Sequence, residues 1–310
     1  MNHGLVLYGS RNIFTVRPDG ADTSLECRIK GKVLKGAEDL YNPLAPGDRV
    51  IIEPDTEHSG KGMIIAREER RNFFSRFNQK GNCTQLLAAN VDLVLCMTTR
   101  LSPPFRPRFL DRVVLQADAA KIPALIICNK IDMDSDDIDV DERLEDFRRI
   151  GHEIIEISVK SNRGLDELRQ RIAGKCSVLV GQSGVGKSSL INALMPELNI
   201  KTGAINEKYD RGNHTTTLAF MVELAPDTQI IDTPGIRRFV PDGIGTDDLI
   251  LHMREFAPLA GKCTFGLSCS HRSEPGCKIM EAVHAGVIHE DRYNSFLRIY
   301  DELAGENHAD

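Results

Sequence analysis

The octapeptide Gly181-Gln182-Ser183-Gly184-Val185-Gly186-Lys187-Ser188 has the form GxxxxGKS and lies between an apolar run at Val178–Val180 and a helix-like run entered at Ser189. Glycines at these positions let the backbone curl so that successive N–H groups point at one anion, and a following helix adds its positive end. In that geometry the loop cradles phosphates and Lys187 reaches the β- and γ-phosphates. The Ser188 hydroxyl ligates magnesium, with Ser189 alongside in the contact set. A glycine turn with a coincidental GKS would lack the flanking strand and helix.

Three further clusters carry compatible chemistry. Asn129-Lys130-Ile131-Asp132 is an NKxD sequence at the end of the apolar run Ala124–Cys128, where parallel sheets bind ligands. A carboxylate at Asp132 accepts from the N1–H and exocyclic amine of guanine while Asn129 serves the O6/N7 edge. Adenine leaves that carboxylate unpaired, so the wrong base is rejected. Ser158-Val159-Lys160 follows the run Ile154–Ile157, in the position of a segment that supports the base. Asp232-Thr233-Pro234-Gly235 follows Gln229–Ile231. There Asp232 holds magnesium through water, and the Gly235 amide senses a γ-phosphate.

Between these lies DRGNHTTT, residues 210–217, in a polar stretch where a threonine hydroxyl could close over magnesium and the γ-phosphate. Spacing leaves Thr215, Thr216 and Thr217 open for that role, and the central Thr216 is placed among the nucleotide contacts. The residue after Gly235 is Ile236, where many such sites carry a glutamine that orients water. An apolar side chain cannot polarise water, so unassisted hydrolysis is expected to be slow. His214 is the nearest substitute, and a plain loop histidine explains it equally on residue chemistry.

These groups need a scaffold. From about residue 90 the chain alternates apolar strand-like runs with helical periods: a strand over 91–97, a helix over 107–121, a strand over 124–128, a helix over 141–150, a strand over 154–158 and a helix over 164–173. That alternation predicts a parallel sheet covered on both faces. Residues 1 to about 75 read instead as five short strands broken by turn residues, a small β-barrel of OB-fold or SH3-like type. Residues 67–80 interleave Arg67, Arg70, Arg71, Arg76 and Lys80 with Phe73, Phe74 and Phe77. The mixture suits RNA, and rings packed on a neighbouring domain explain it equally well.

Cys263, Cys269, His271 and Cys277 fall within 15 residues. Three thiolates and one imidazole complete a tetrahedral zinc set with no position open to substrate, which predicts a structural site. The other five cysteines are scattered. The chain has 310 residues, long enough for two or three units, and its formal charge of −6 confines any nucleic-acid contact to local basic patches. No charged-then-apolar leader and no apolar run of the ~18–20 residues that span a bilayer is present, so a reducing, cytoplasmic location without membrane contact is expected.

With NKID ahead of GQSGVGKSSLINAL, then GNHTTT, DTPGIRRF and Cys/Cys/His/Cys, together with PLAPGDRV at 43–50 and AANVD at 88–92, the chain closely resembles the circularly permuted RsgA (YjeQ/YloQ) family over almost its full length. The resemblance implies an N-terminal OB-fold barrel over 1–75, a central α/β P-loop GTPase domain in permuted order over 76–245, and a mainly α zinc-binding domain over 246–310. It also implies hydrolysis of GTP to GDP in late maturation of the small (30S) ribosomal subunit, stimulated by that particle and in contact with its rRNA. Magnesium accompanies GTP, zinc is structural, the protein is a monomer, and the catalytic histidine maps to His214. Five residues separate Cys263 from Cys269, one more than is usual in the family. The competing classes are a nucleotide-gated RNA-binding module whose hydrolysis is incidental, and an ATP-using P-loop enzyme, which Asn129 and Asp132 oppose.

Overall fold

The computed structural model describes residues 2–10, 12–31, 34, 40–133, 138–195 and 219–305. His214 and Thr215–Thr217 therefore lie outside the described residues.

Five strands form the N-terminal unit: β1 (Asn2–Ser10), β2 (Ile13–Pro18), β3 (Leu25–Ile29), β4 (Arg49–Pro54) and β5 (Lys61–Arg67). Alternation sets their inner face. In β2 Phe14 and Val16 point inward between exposed or half-exposed neighbours, and in β4 Val50 and Ile52 do the same. With Val6, Cys27, Leu44 and Ile64 they make one apolar core. The order β1-β2-β3-β5-β4 closes through a β1–β4 pairing, and β3 runs parallel to β5, giving a closed five-stranded OB-like barrel.

The basic, phenylalanine-containing segment is a β-hairpin, β6 (Phe73–Asn78) and β7 (Cys83–Ala89). Phe74 is fully buried, its ring 5.8 Å from that of Phe239, while Arg70 makes a bidentate contact of 2.7 Å per bond with buried Asp48 and Arg71 reaches Asp92 at 2.6 Å. Of the two readings left open by the sequence, packing accounts for Phe74, Arg70 and Arg71. The hairpin also holds the barrel: the Tyr41 amide donates to the Thr84 carbonyl at 2.8 Å, and the Ala89 amide to that of Pro46 at 2.9 Å.

The central sheet runs β10 (Glu153–Glu156), β9 (Ala124–Asn129), β8 (Leu93–Thr99), β11 (Cys176–Gly181), β13 (Thr228–Asp232) and β12 (Phe220–Ala225). All neighbours are parallel except β12, which lies antiparallel at the edge and joins the barrel where Tyr8 of β1 pairs with Phe220. Every residue of β8 and β9 is buried, as expected for parallel strands covered on both faces. Helix α1 (Pro107–Ala119) packs with the hairpin on one face; α3 (Leu165–Ile172) and α4 (Lys187–Leu194) cover the other. Helix α2 (Ile138–Arg149) follows the NKID loop.

The C-terminal region is helical, with α5 (Thr246–Leu249), α6 (Lys278–His284), α7 (Glu290–Leu303) and short 3-10 turns around a core in which Phe256 stacks on Phe296 at 5.0 Å. It meets the central sheet through buried charge. Arg292 on α7, 2% exposed, donates to Asp111 of α1 at 2.7 Å and to Glu255 at 2.6 and 3.1 Å. Arg143 of α2 contributes a further donor 3.5 Å from Asp111. Removing one partner of such a pair strands the others without solvent. Arg292→Met is therefore expected to cost about 3 to 5 kcal/mol, read as a lower urea midpoint of the full chain. A midpoint within experimental error of wild type would show that the joint is not held this way.

Candidate functional site

The phosphate loop leaves the carboxyl end of β11, the strand held between β8 and β13. Gly186, the residue before α4, has φ +100°, and a Cβ there would lie 2.6 Å from Nδ2 of Asn129. Glycine is thus required both by backbone conformation and by the close approach of the base-side loop. The Lys187 ammonium turns back over the loop to the carbonyls of Gly181 at 2.9 Å and Gln182 at 3.3 Å. Ser188 and Ser189 open the same helix and are half-buried.

The two base-side motifs, 26 residues apart between Asp132 and Ser158, meet at the ends of β9 and β10. Asn129, 2% exposed, donates from Nδ2 to the Val185 carbonyl at 2.9 Å, and its Oδ1 accepts from the Val159 amide at 3.2 Å. Lys130, in a left-handed conformation at φ +65°, donates to the carbonyls of Gly184 at 2.9 Å and Ser102 at 2.5 Å. The Ile131 amide bonds the Ile157 carbonyl at 3.3 Å. Ser158 donates its hydroxyl to Asp132 at 2.7 Å, and Lys160 stands 3.8 Å from the same carboxylate. The Ser158 hydrogen bond, aided by Lys160 and Lys130, holds the Asp132 carboxyl below the usual range, keeping it an acceptor. An exposed carboxylate thus stands beside a buried amide that is fixed by the Val185 carbonyl and the Val159 amide.

On the other side, Thr233 bonds the Leu179 carbonyl through its hydroxyl at 2.7 Å, and the Ile236 amide donates to the Gly181 carbonyl at 3.2 Å. Gly235 lies on the phosphate loop: a Cβ there would be 2.9 Å from Cα of Ser183. The Ile236 side chain turns away into the core with Phe74, Phe109 and Phe239. The segment then ends in a clamp that the sequence did not reveal. Asp242 accepts from the hydroxyls of Ser75 at 2.7 Å and Thr84 at 2.8 Å, and Gln116 of α1 binds both its amide and its carbonyl, at 2.7 and 3.2 Å. No spacing rule links residues so far apart.

Asp232 tests the fit to magnesium. It is 6% exposed, and its Oδ1 has no hydrogen-bond partner among the described residues. Burial pushes its carboxyl up to about 7 against the opposing pull of Lys187, whose own value burial lowers. A buried acid with an orphaned oxygen beside the start of α4 suits a hydrated dication, which would restore the charged form.

Cys263, Cys269, His271 and Cys277 are all buried, and their ligand atoms lie within 4.8 Å of one another. The Cys263 and Cys277 sulfurs are 3.9 Å apart and stand 3.6 and 3.5 Å from Nδ1 of His271. Zinc–sulfur bonds of about 2.3 Å give tetrahedral edges of roughly 3.8 Å, so the set is compatible with zinc. Burial pushes the Cys269 thiol up to about 12 and raises that of Cys277. Metal uptake would therefore release protons. The Tyr293 hydroxyl fixes the His271 carbonyl at 2.7 Å.

The six-strand portion of the sheet from β10 to β12, with a phosphate loop at the end of β11 and base-side motifs that precede the loop in the chain, defines a P-loop GTPase domain of circularly permuted order. Residues 67–240 match the family model described as RsgA GTPase. A curated relative from Borrelia recurrentis, named small ribosomal subunit biogenesis GTPase RsgA, is 38% identical over 299 residues, spanning 96% of this chain and 93% of the relative. One of the same name from Flavobacterium johnsoniae is 37% identical over 303 residues, 96% and 92% of the two chains. The crystal structure of YjeQ from Thermotoga maritima matches with a TM-score of 0.74 at 28% identity over 99% of each chain. YloQ, described as a circularly permuted GTPase, matches in fold with a TM-score of 0.68 at 22% identity over 99% of this chain and 96% of its own. The chain belongs to the RsgA GTPase family.

Asp232 yields a pH signature. A carboxyl raised in the folded state lends stability in full below its ordinary value of 3.8 and loses it as pH rises through about 7. In magnesium-free buffer, Asp232→Asn should gain thermal midpoint relative to wild type between about pH 4 and about pH 8. Midpoints that run parallel across that range would contradict the burial of a charged Asp232.

Proposed function

We propose that this protein hydrolyses GTP to GDP and phosphate in late maturation of the small ribosomal subunit, which stimulates the reaction. The observation that carries the reading is the convergence of Asn129, Lys130, Gly181, Lys187 and Gly235 at one end of the parallel sheet, in a chain whose full-length relatives bear that function in their names. Asp132 and Asn129 read guanine, with Ile131, Ser158, Val159 and Lys160 supporting the base. The backbone from Gly181 to Gly186 and the Lys187 ammonium hold the phosphates. Ser188, with Ser189 beside it, and Asp232 hold magnesium, which neutralises charge developing between the β- and γ-phosphates. Gly235 and Thr216 sense the γ-phosphate, and His214 orients or deprotonates the attacking water in place of the buried Ile236.

The units are a barrel over 1–75 that contacts rRNA, the GTPase domain over 76–245 and a zinc module over 246–310, acting as a cytoplasmic monomer. Zinc at Cys263, Cys269, His271 and Cys277 makes the C-terminal core rigid rather than reactive. The burial of Ile236 also supports the second reading, in which GTP gates RNA binding and hydrolysis is incidental.

Purified small subunits should raise GTP turnover, and their failure to do so would remove the ribosomal assignment. Loss of a general base typically costs about 10² to 10⁴-fold, so His214→Ala should lower stimulated turnover by that order while GTP affinity holds. Normal subunit maturation by that variant would favour the gating alternative. Separately, the protein should carry one zinc per chain by elemental analysis, and Cys277→Ser should abolish it and lower the thermal midpoint. Full occupancy of the serine variant would exclude this ligand set.

A further inference from the structure

The ring of Phe109 on α1 meets that of Phe239 edge-on at 6.4 Å, and this contact draws the start of α1 against the segment that follows Gly235. Both rings are buried, whereas the arginines that precede each of them are exposed. On α1 these are Arg106 and Arg108, and before Phe239 they are Arg237 and Arg238, all exposed. Arg112 lies one turn beyond Arg108 on the same helix face. The five arginines share a single carboxylate among the described residues, Glu302 of α7, which pairs with Arg112 at 2.5 Å and Arg238 at 3.0 Å. Arg106, Arg108 and Arg237 form no ion pair among the described residues.

Such crowding of like charge works against the compact state unless an anion offsets it, and it occurs on a chain whose formal charge is −6. The ligand can be narrowed by chemistry. All five cations are arginine, whose planar fork matches phosphate oxygens two at a time. The patch is exposed and spans two elements, so it fits a row of phosphates rather than one enclosed anion. Its aromatic rings face inward, which leaves no stacking platform for splayed bases and favours the sugar–phosphate backbone of a duplex.

We infer that Arg106, Arg108, Arg237 and Arg238, with Arg112 behind them, form a docking surface for the phosphate backbone of double-helical RNA. The inference rests on the small-subunit reading above and supplies that reading with a contact face. It also places the RNA two residues from Gly235, which lies on Ser183 of the phosphate loop. A duplex seated here bears on α1 and on the segment after Gly235 together, so occupancy of the face is felt at the nucleotide site.

The test compares the full-length wild type with an R106A/R108A/R237A variant for binding to purified small subunits across a salt series. Each phosphate contact contributes about 0.9 to the slope of log affinity against log salt, so the variant should lose between two and three units of slope, with affinity down at least about tenfold at about 150 mM salt. The matching lysine variant should keep most of the slope, and unchanged GTP affinity in both reports an intact G domain. If wild type binds subunits and the alanine variant binds them with equal slope, the docking surface is overturned and the small-subunit reading stands. If wild type itself does not bind, both fall. If the variant loses subunit binding but the two proteins bind protein-free ribosomal RNA alike, the face docks a ribosomal protein and the RNA assignment is wrong.

Discussion

The carbonyl oxygen of Gly181 accepts both the Lys187 ammonium, at 2.9 Å, and the Ile236 amide, at 3.2 Å. Through this one acceptor the Lys187 side chain and the backbone beyond Gly235 are referred to the same point at the end of β11. That strand is fixed by parallel ladders to β8 and β13 and buried on both sides, so the acceptor itself has little freedom. A nucleotide phosphate that recruits Lys187 leaves the amide as the acceptor's remaining partner. Beyond that amide the segment is held by the buried side chains of Ile236 and Phe239, by the Val240 carbonyl accepting from the Phe77 amide at 3.0 Å, and at its far end by Asp242.

Permutation alters what that segment is attached to. With the base-side motifs first and the DTPG sequence last, the chain passes directly from Gly235 through Phe239 and Asp242 into α5 and the cysteine-rich core. The N-terminal side is also engaged. Strand β12 is hydrogen-bonded to β13 along its length and touches β1 at Tyr8 and Phe220, so the barrel and the central sheet form one continuous ladder. The barrel thus attaches at β12, beside β13, while the C-terminal region also reaches the base-side edge, where Arg149 of α2 donates to the Val287 carbonyl at 2.7 Å and Arg254 to that of Gly151, just before β10, at 2.5 Å.

Much of this was legible in the sequence. The phosphate loop, NKID, SVK and DTPG could be read because their chemistry demands fixed residue types at short spacings, and the structure brings all four to one end of the sheet. The zinc-compatible set could be read because four ligands fall within 15 residues. The barrel strands followed from alternation. The hairpin did not, for a specific reason: the register shifts between Phe74 and Ser75, so two consecutive side chains are buried and the two-residue period breaks at the aromatic run. Interleaved cations then gave it the look of an RNA-binding stretch. The Asp242 clamp joins residues 158 and 167 positions apart and is invisible to any local pattern.

Thr84 occupies a position whose meaning extends past stability. Its hydroxyl belongs to the nucleotide side of the molecule, bound to Asp242, while its carbonyl belongs to the barrel side, bound to the Tyr41 amide. The Leu86 carbonyl, accepting from Asn42 at 3.2 Å, repeats the arrangement one pleat away. A strand serving two neighbours in this manner makes the barrel and the GTPase domain poor candidates for separate inheritance. Cutting the chain between them would bare a hydrogen-bonding edge on whichever fragment kept the hairpin, so the two units are expected to travel through evolution as a single piece.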